Sequence, residues 1–213
     1  MKHRARNLAF GLAALATLPC GCRTAAEVAP WHELFDGRSL NGFTATEFGG
    51  EGEVRVEDRA IHLGFGSPLT GITFQGPLPP DDYELEVTAR RVAGNDFFCG
   101  LTFPVGHGHL TLVLGGWGGA VCGLSSLDGD DASSNPTRTL RHFVTGRDYT
   151  ALLRVTADEV AVSIDGEPFL VADLRGRRLG LRPEMELSRP LGLASFATAA
   201  AVRSLRWRPL GPR

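Results

Sequence analysis

The sequence predicts an all-β protein built from two stacked antiparallel sheets. Apolar and polar residues alternate with a period of two through most of the chain, and no stretch of eleven or more residues keeps a helical period. Turn signals separate ten or more short apolar runs, a pattern typical of a two-sheet β-sandwich. The length of 213 residues and the 43% hydrophobic content suit one globular domain with a single core.

The charge balance and the glycine distribution exclude several classes of protein. The 22 Lys and Arg residues nearly cancel the 24 Asp and Glu residues, for a formal net charge of -2. Domains that bind nucleic acid usually carry a large basic excess, so we expect no nucleic-acid partner. The 27 glycines show no collagen period and lie among many large apolar residues, which argues against a fibre and against disorder.

The first residues have the features of a secretory signal. A basic segment precedes a short apolar segment from Leu8 to Leu18, which is shorter than the roughly 20 residues of a membrane-spanning helix. The motif that follows is similar to a bacterial lipobox, with Cys22 as the candidate lipidated cysteine. We expect residues 1–22 to be a signal peptide, which is a lipoprotein signal if Cys22 is lipidated. Residues 23–30 are then a short linker. The mature protein is then exported to the periplasm or cell envelope, and touches the membrane only through that lipid anchor.

The predicted strands follow in order along residues 31–210, which we expect to form one domain. Three segments alternate as half-buried strands do, and they are residues 83–89, 151–155 and 160–164. Asp165-Gly166 comes directly after the third segment and is a strong signal for a tight hairpin turn. Four further segments are apolar enough to be buried on both faces, and they are residues 97–103, 110–114, 191–196 and 202–207.

Two cysteines, Cys99 and Cys122, lie in apolar, strand-like parts of the predicted domain. An exported compartment permits a disulfide bond between them. Two buried thiols that act as small hydrophobic side chains fit the same context. The sequence leaves both alternatives open, and it contains no cysteine spacing of the kind that binds a metal.

The most specific motif runs from Trp31 to Phe43 and reads WHELFDGRSLNGF. It resembles the opening of the domain of unknown function 1080 family, whose members are described as 3-keto-disaccharide hydrolases or 3-keto-glycoside lyase/hydratases. Later phrases follow in the family's order at residues 82–87, 162–167, 191–193 and 202–206. The resemblance covers about residues 31–210, and it implies an exported, concanavalin-like jelly-roll sandwich that acts on oxidised sugars.

The chain departs from the family pattern at two places that usually carry polar groups. The family has a strand with Tyr-Glu-x-Gln where this chain has residues 109–114, and the Glu and Gln are missing. The family's Leu-Gln-x-His-Gly corresponds to residues 193–197, which read LASFA. The fold expectation rests on pattern and turns, whereas the chemistry has to be argued from the site itself.

The family chemistry needs a base, an enolate stabiliser and an acid, because oxidation at C3 makes the C2 proton of the sugar acidic. We assign the base to His109 or His107, which flank a glycine. Arg138 is the candidate enolate stabiliser, and Asp131 or Asp130 is the candidate acid. The non-catalytic alternatives are that the histidines are ordinary exposed side chains and that the arginine forms a salt bridge with one of the aspartates.

The acidic loop, which we define as residues 127–135, also admits two other interpretations. Its carboxylates, hydroxyls and amide could supply the oxygen ligands of calcium or another divalent metal, and a His-x-His pair on one strand could bind a metal too. The same residue types are equally typical of a solvated turn.

Four residues are candidates for contact with a substrate sugar. Trp117 lies between two glycine pairs, so its indole could pack against the C–H face of a pyranose, or the ring could pack inward in a tight turn. Asn95 and Asp96 precede a predicted strand and could orient a hydroxyl group or serve as turn residues, and Asn135 lies in the acidic loop. The rival to the enzyme hypothesis is a non-catalytic carbohydrate-binding or surface interaction module on the same fold, which needs an aromatic platform but no titrating pair.

Overall fold

The structure, a computed structural model, describes residues 29–211, which form two antiparallel β-sheets packed face to face. The predicted signal peptide, residues 1–22, and most of the predicted linker lie outside the described residues. The helix at Pro183–Ser188 is a six-residue 3-10 helix, and no helix among residues 29–211 could span a membrane. The all-β, two-sheet sandwich predicted from the period of two is therefore confirmed.

Fifteen strands are present within residues 29–211. They are β1 (His32–Glu33), β2 (Phe43–Ala45), β3 (Val54–Glu57), β4 (Ala60–Leu63), β5 (Leu69–Phe74), β6 (Tyr83–Gly94), β7 (Cys99–Val105), β8 (Gly108–Gly116), β9 (Val121–Ser125), β10 (Thr139–Leu140), β11 (Tyr149–Val155), β12 (Glu159–Ile164), β13 (Glu167–Asp173), β14 (Leu191–Phe196) and β15 (Thr198–Pro209).

Each strand pairs antiparallel with its neighbours in one of the two sheets. The first sheet has the order β13-β12-β11-β6-β15-β4-β3, with β1 paired to β15. The second sheet has the order β10-β9-β8-β7-β14-β5-β2. Strands that are distant in sequence are therefore neighbours in space, as in a jelly roll.

Strand β6 shows how the alternating sequence specifies the first sheet. Its odd-numbered side chains from Tyr83 to Ala89 are buried in the core between the sheets. Its outward carboxylates pair with β15, since Glu86 lies 2.7 Å from an Nη atom of Arg206 and Glu84 pairs with Arg208. Burial on one side and ion pairs on the other fix the register of the two strands.

The predicted hairpin at Asp165-Gly166 connects β12 to β13. Asp165 has a φ of 55° and Gly166 a φ of 83°, so both central residues are left-handed, as a type I′ turn requires. The turn forms where the sequence predicted it.

The second sheet is buried on both faces along β7, β8, β9 and β14. Its inner face carries large apolar side chains, whereas its outer face has the small residues Gly71, Gly192 and Ala194 near the 3-10 helix, so the helix lies directly on the sheet. A Cβ atom at Gly192 would lie 2.6 Å from the carbonyl oxygen of Ser188 in that helix, and one at Gly71 would lie 2.6 Å from the carbonyl oxygen of Leu193. This outer face is the floor of the candidate site.

Cys99 and Cys122 are buried free thiols. Burial raises the pKa of Cys99 to about 12 and that of Cys122 to about 11, because a thiolate loses its hydration in the core. The sequence left open a disulfide bond or two buried thiols, and the structure has two buried thiols.

Candidate functional site

A pocket opens on the outer face of the second sheet, between the turn after β8, the start of β7 and the 3-10 helix. Its volume is about 190 Å³. We call it the Trp117 pocket, and its lining residues are Asp96, Phe97, Thr111, Val113, Trp117, Ser125, Arg182, Glu184, Met185 and Phe196.

Trp117 lies on the turn between β8 and β9, and its backbone has a φ of 48°. The left-handed conformation costs a residue with a side chain roughly 1–2 kcal/mol. The side chain does not recover that cost by burial, since Trp117 is 42% exposed. The turn holds a large apolar ring at the mouth of the pocket, where a ligand can reach it.

The carboxylate of Asp96 connects the start of β7 to this turn. Its Oδ1 accepts hydrogen bonds from the backbone N–H groups of Phe97, at 2.8 Å, and Trp117, at 3.2 Å. Its Oδ2 lies 3.5 Å from the N–H of Gly118. The backbone N–H of Asp96 donates in turn to Oγ1 of Thr198, at 3.0 Å. Two residues predicted to contact substrate, Asp96 and Trp117, are thus adjacent in the pocket wall.

Arg91 supports both of these segments, and the sequence analysis missed it. It is 5% exposed, and its guanidinium lies 5.5 Å from the ring centroid of Phe98. The guanidinium donates hydrogen bonds to four backbone carbonyls, those of Asp96 at 3.1 Å, Gly115 at 3.1 Å, Gly119 at 3.2 Å and Phe143 at 3.4 Å. Burial lowers the pKa of Arg91 without making it neutral in the physiological range. The sequence does contain a signal for a buried arginine here. Arg91 follows four apolar residues on the inward side of β6, so the alternation places its charged side chain in the interior.

Arg182 lines the pocket next to the 3-10 helix and pairs with two carboxylates. Its Nη1 donates to Oδ2 of Asp131 at 2.9 Å, and its Nε donates to Oε1 of Glu184. Burial raises the pKa of Asp131, but hydrogen bonds from Ser133 and the charge of Arg182 outweigh it and hold the pKa below its ordinary value. Asp131 is therefore ionised and held in place.

A second cavity of about 320 Å³ lies on the other side of Arg182. We call it the Arg178 cavity, and its lining residues are Ser126, Gly129, Asp131, Arg178, Leu179, Gly180, Leu181, Arg182 and Pro183.

The acidic loop is held against the segment that forms this cavity. The backbone N–H of Arg178 donates to Oδ1 of Asp128 at 2.8 Å, and Nε of Arg177 lies 3.0 Å from Oδ2 of the same carboxylate. Throughout residues 29–211, no three His, Cys, Asp or Glu side chains meet in an arrangement that could hold a metal ion. Two of the loop's carboxylates, Asp128 and Asp131, pair with arginines instead of converging on one point, so the residues present do not fit the divalent metal considered from the sequence.

Neither of the two candidate histidines lines the Trp117 pocket. His107 is exposed in the turn between β7 and β8. His109 is half-buried on β8, and its Nε2 atom is buried without a hydrogen-bond partner among the described residues. Burial lowers the pKa of His109, the nearby charge of Arg189 lowers it further, and Glu186 opposes both.

The remaining predicted site residues lie outside the Trp117 pocket. Arg138, Asp130 and Asn95 are exposed and line neither cavity. Asn135 is buried, and its Nδ2 donates to the carbonyls of Leu124 at 2.7 Å and Asp130 at 3.1 Å, so its amide closes the acidic loop. The structure therefore brings Asp96 and Trp117 together, with Asp131 at the neighbouring cavity, but it does not gather the predicted base, enolate stabiliser and acid in one place.

No family model matches the chain, and no curated protein matches it. Several solved structures are similar in fold. One is the Crh5 transglycosylase in complex with NAG, with 13% identity over 88% of this chain and 86% of that chain and a TM-score of 0.58. Another is SCLam, a non-specific endo-beta-1,3(4)-glucanase from family GH16, with 14% identity over 86% and 91% of the two chains and a TM-score of 0.53. A third is the carbohydrate-binding module CBM66 from Bacillus subtilis, with 10% identity over 78% and 95% and a TM-score of 0.53. These likenesses establish that the chain has a concanavalin-like jelly-roll fold.

Proposed function

We propose that this protein binds a carbohydrate in the Trp117 pocket. The observation that carries the proposal is the exposed indole of Trp117, held in a left-handed conformation beside the Asp96 carboxylate. An indole offers an apolar face to the C–H groups of a pyranose, and a carboxylate accepts hydrogen bonds from its hydroxyl groups. Oδ2 of Asp96 has only a 3.5 Å contact with a backbone N–H, so it retains capacity to accept from a sugar.

The neighbours in fold support a carbohydrate ligand. Of the three described above, one is a transglycosylase in complex with NAG, one is a glucanase and one is a carbohydrate-binding module. The fold therefore hosts both glycan-processing and glycan-binding proteins, and the residues of the site must separate the two activities.

The floor of the pocket favours binding over hydrolysis. Among the described residues, the outward positions of β7, β8, β9 and β14 carry no Asp or Glu, and Thr111 and Ser125 supply the polar groups of the pocket floor. Glycoside hydrolysis generally uses two carboxyl groups that flank the bond to be broken. The pocket's carboxylates, Asp96 and Glu184, come from its walls, and both already accept hydrogen bonds within the protein.

Binding is tested by titrating a panel of neutral monosaccharides and oligosaccharides, including glucose, N-acetylglucosamine and cellobiose, into the protein by NMR. We expect Trp117→Ala to weaken binding about tenfold, the loss expected when one aromatic stacking contact of roughly 1.5 kcal/mol is removed. The thermal stability should change little, because the ring is exposed. Trp31→Ala is the matched control, since Trp31 packs under Arg206 and Arg208 on the first sheet. Equal binding by the Trp117→Ala variant would overturn the proposal.

A second candidate function is the cleavage or hydration of 3-keto-glycosides, as the family resemblance implies. The observation that favours it is a carboxylate beside a guanidinium in the same pocket, Glu184 next to Arg182. In this scheme Glu184 takes the C2 proton, Arg182 stabilises the resulting enolate, and Glu184 returns the proton to the C1 oxygen as the C1–O bond breaks. The products are an unsaturated keto-sugar, to which water can add, and the released alcohol.

This second function is tested by following loss of the C2 proton and release of the aglycone from a 3-keto-glucoside by NMR. We expect Glu184→Gln to abolish turnover. Glu186→Gln is the control, because Glu186 is on the same 3-10 helix but pairs with Arg189 outside the pocket. If the wild-type protein binds the 3-keto-glucoside without turning it over, the second function is wrong and carbohydrate binding is the function that remains.

We also propose that the chain is exported and anchored through Cys22. The basic start, the short apolar segment and the lipobox-like motif support this localisation. Labelling of expressing cells with a fatty-acid analogue should mark the wild-type protein and a Cys20→Ala variant but not a Cys22→Ala variant. Cytoplasmic retention of the wild-type chain would refute export.

A further inference from the structure

We propose that the Arg178 cavity binds the carboxylate or sulfate group of a second, acidic sugar unit next to the unit held in the Trp117 pocket. This inference rests on the proposed carbohydrate-binding function. Beyond that function, it specifies that the ligand is negatively charged and that it is at least two sugar units long.

The first step is the position of the two cavities. Arg182 lines both of them, and its two carboxylate partners lie on opposite sides, Glu184 in the Trp117 pocket and Asp131 in the Arg178 cavity. Because Arg182 borders both cavities, we place the second sugar unit of the ligand in the Arg178 cavity, on the other side of this residue. The Trp117 pocket, at about 190 Å³, is smaller than the roughly 300–1,000 Å³ of most ligand sites, and the adjoining cavity brings the site into that range.

The second step is the charge that the Arg178 cavity presents. Its lining includes two arginines and one carboxylate, Asp131. The carboxylate is already engaged, because Oδ1 accepts hydrogen bonds from Ser133 and Oδ2 accepts one from Arg182. Arg182 in turn pairs with both Asp131 and Glu184, so among the described residues Arg178 is the cation of the lining without a carboxylate partner. The hydrogen-bonding capacity that these charged side chains leave unused is mainly that of its N–H donors.

The third step is the guanidinium of Arg178 itself. Its Nη2 donates to the backbone carbonyl of Asp128 at 2.6 Å, and it lies 3.1 Å from where a Cβ atom of Gly129 would be. Within residues 29–211 the structure gives Arg178 no ion pair, unlike its neighbours Arg175, Arg177 and Arg182. One hydrogen bond fixes the side chain, and its remaining N–H groups suit the paired oxygens of a carboxylate or sulfate.

The test compares ligands that differ only in the acidic group. We would measure binding of cellobiose, of its uronate counterpart and of its 6-sulfate by calorimetry at low and high salt. The expected result is that one or both acidic disaccharides bind about tenfold more tightly than cellobiose at low salt, and that high salt reduces the difference. The two acidic arms identify which group the cavity prefers.

Three variants connect the effect to the cavity. Arg178→Gln should remove the preference for the acidic ligand, whereas Arg175→Gln, the control, should keep it because Arg175 pairs with Asp173 and lines neither cavity. Gly180→Leu should fill the cavity without backbone strain, since a Cβ atom there meets nothing within 4 Å. That variant should reduce disaccharide binding to the level of glucose.

Two outcomes would overturn the inference, and they are distinguishable. If glucose and cellobiose bind but the acidic disaccharides bind no better, or if Arg178→Gln keeps the preference, the Trp117 pocket remains a sugar site and the acidic subsite is wrong. If none of these saccharides binds, the proposed function fails together with the inference.

Discussion

Arg91 is the residue whose replacement tests the architecture of the site most directly. Arg91→Met keeps much of the side chain's apolar volume beside Phe98 and removes the guanidinium. The four carbonyls that accept from it lose this donor, and three of them belong to the buried residues Gly115, Gly119 and Phe143. The variant thus separates the loss of hydrogen bonds from the loss of packing.

The expected destabilisation follows from those three carbonyls. A buried acceptor that loses its partner costs about 1–3 kcal/mol. We take the lower end for each, because the variant also removes the cost of desolvating a guanidinium, and obtain about 3 kcal/mol. For a domain of this size that corresponds to a fall in Tm of roughly 6–12 °C.

The assay is urea denaturation followed by circular dichroism, together with sugar titration. Arg90→Met is the matched control, since Arg90 directly precedes Arg91 on β6 and faces outward, and its one ion pair within residues 29–211 is with Asp148 at 3.7 Å. The control should lose less than about 1 kcal/mol and should bind sugar as the wild type does. If Arg91→Met were as stable as the control and bound sugar equally well, the view that Arg91 positions the Asp96 and Trp117 segments would be wrong.

Two further predictions concern pH and backbone strain. Folding lowers the pKa of His109, so below its ordinary value of about 6.5 the unfolded chain binds more protons than the folded one. The free energy of unfolding should therefore fall as the pH drops through that region, and His109→Gln should flatten this dependence in thermal melts; an unchanged pH dependence in that variant would contradict the assignment. Gly115→Ala should destabilise the protein by about 1 kcal/mol or more relative to Gly118→Ala, the cost of inserting a methyl group into a packed site. Both glycines have a positive φ, but of the two only position 115 would bring its Cβ atom against a neighbour, Nη2 of Arg91 at 2.5 Å; equal melting temperatures would contradict this account.

The fold could be predicted because its signals are local. Alternation along β6 and the Asp165-Gly166 turn depend on residues close together in sequence, and both appear where the sequence placed them. The exact strand ends could not be predicted, since β6 continues to Gly94 through its pairing with β15. That pairing joins residues more than a hundred positions apart, and a single sequence does not reveal it.

The site could be predicted only in part, for the same reason. Trp117 could be identified because it lies between two glycine pairs, and Asp96 because it comes shortly before a predicted strand. Arg182 is positioned at the pocket by its contacts with Asp131 and Glu184. The contact with Asp131 joins residues 51 positions apart, so the sequence alone does not reveal it. Arg138 was selected for its sequence proximity to the acidic loop, whereas in the structure Asp128 and Asp131 of that loop pair with Arg177 and Arg182.

The tightly packed floor under the 3-10 helix restricts how this protein can acquire a new ligand preference. A Cβ atom at Gly71 or Gly192 would lie 2.6 Å from a backbone carbonyl oxygen. A larger residue at either position would therefore displace the sheet or the helix instead of adding a contact to a ligand. Gly180, in contrast, lines the Arg178 cavity, and a Cβ atom there would meet nothing within 4 Å. Natural drift or a directed-evolution library should therefore change specificity through the walls of the two cavities, and mutations on the strands beneath should mostly be eliminated as folding defects.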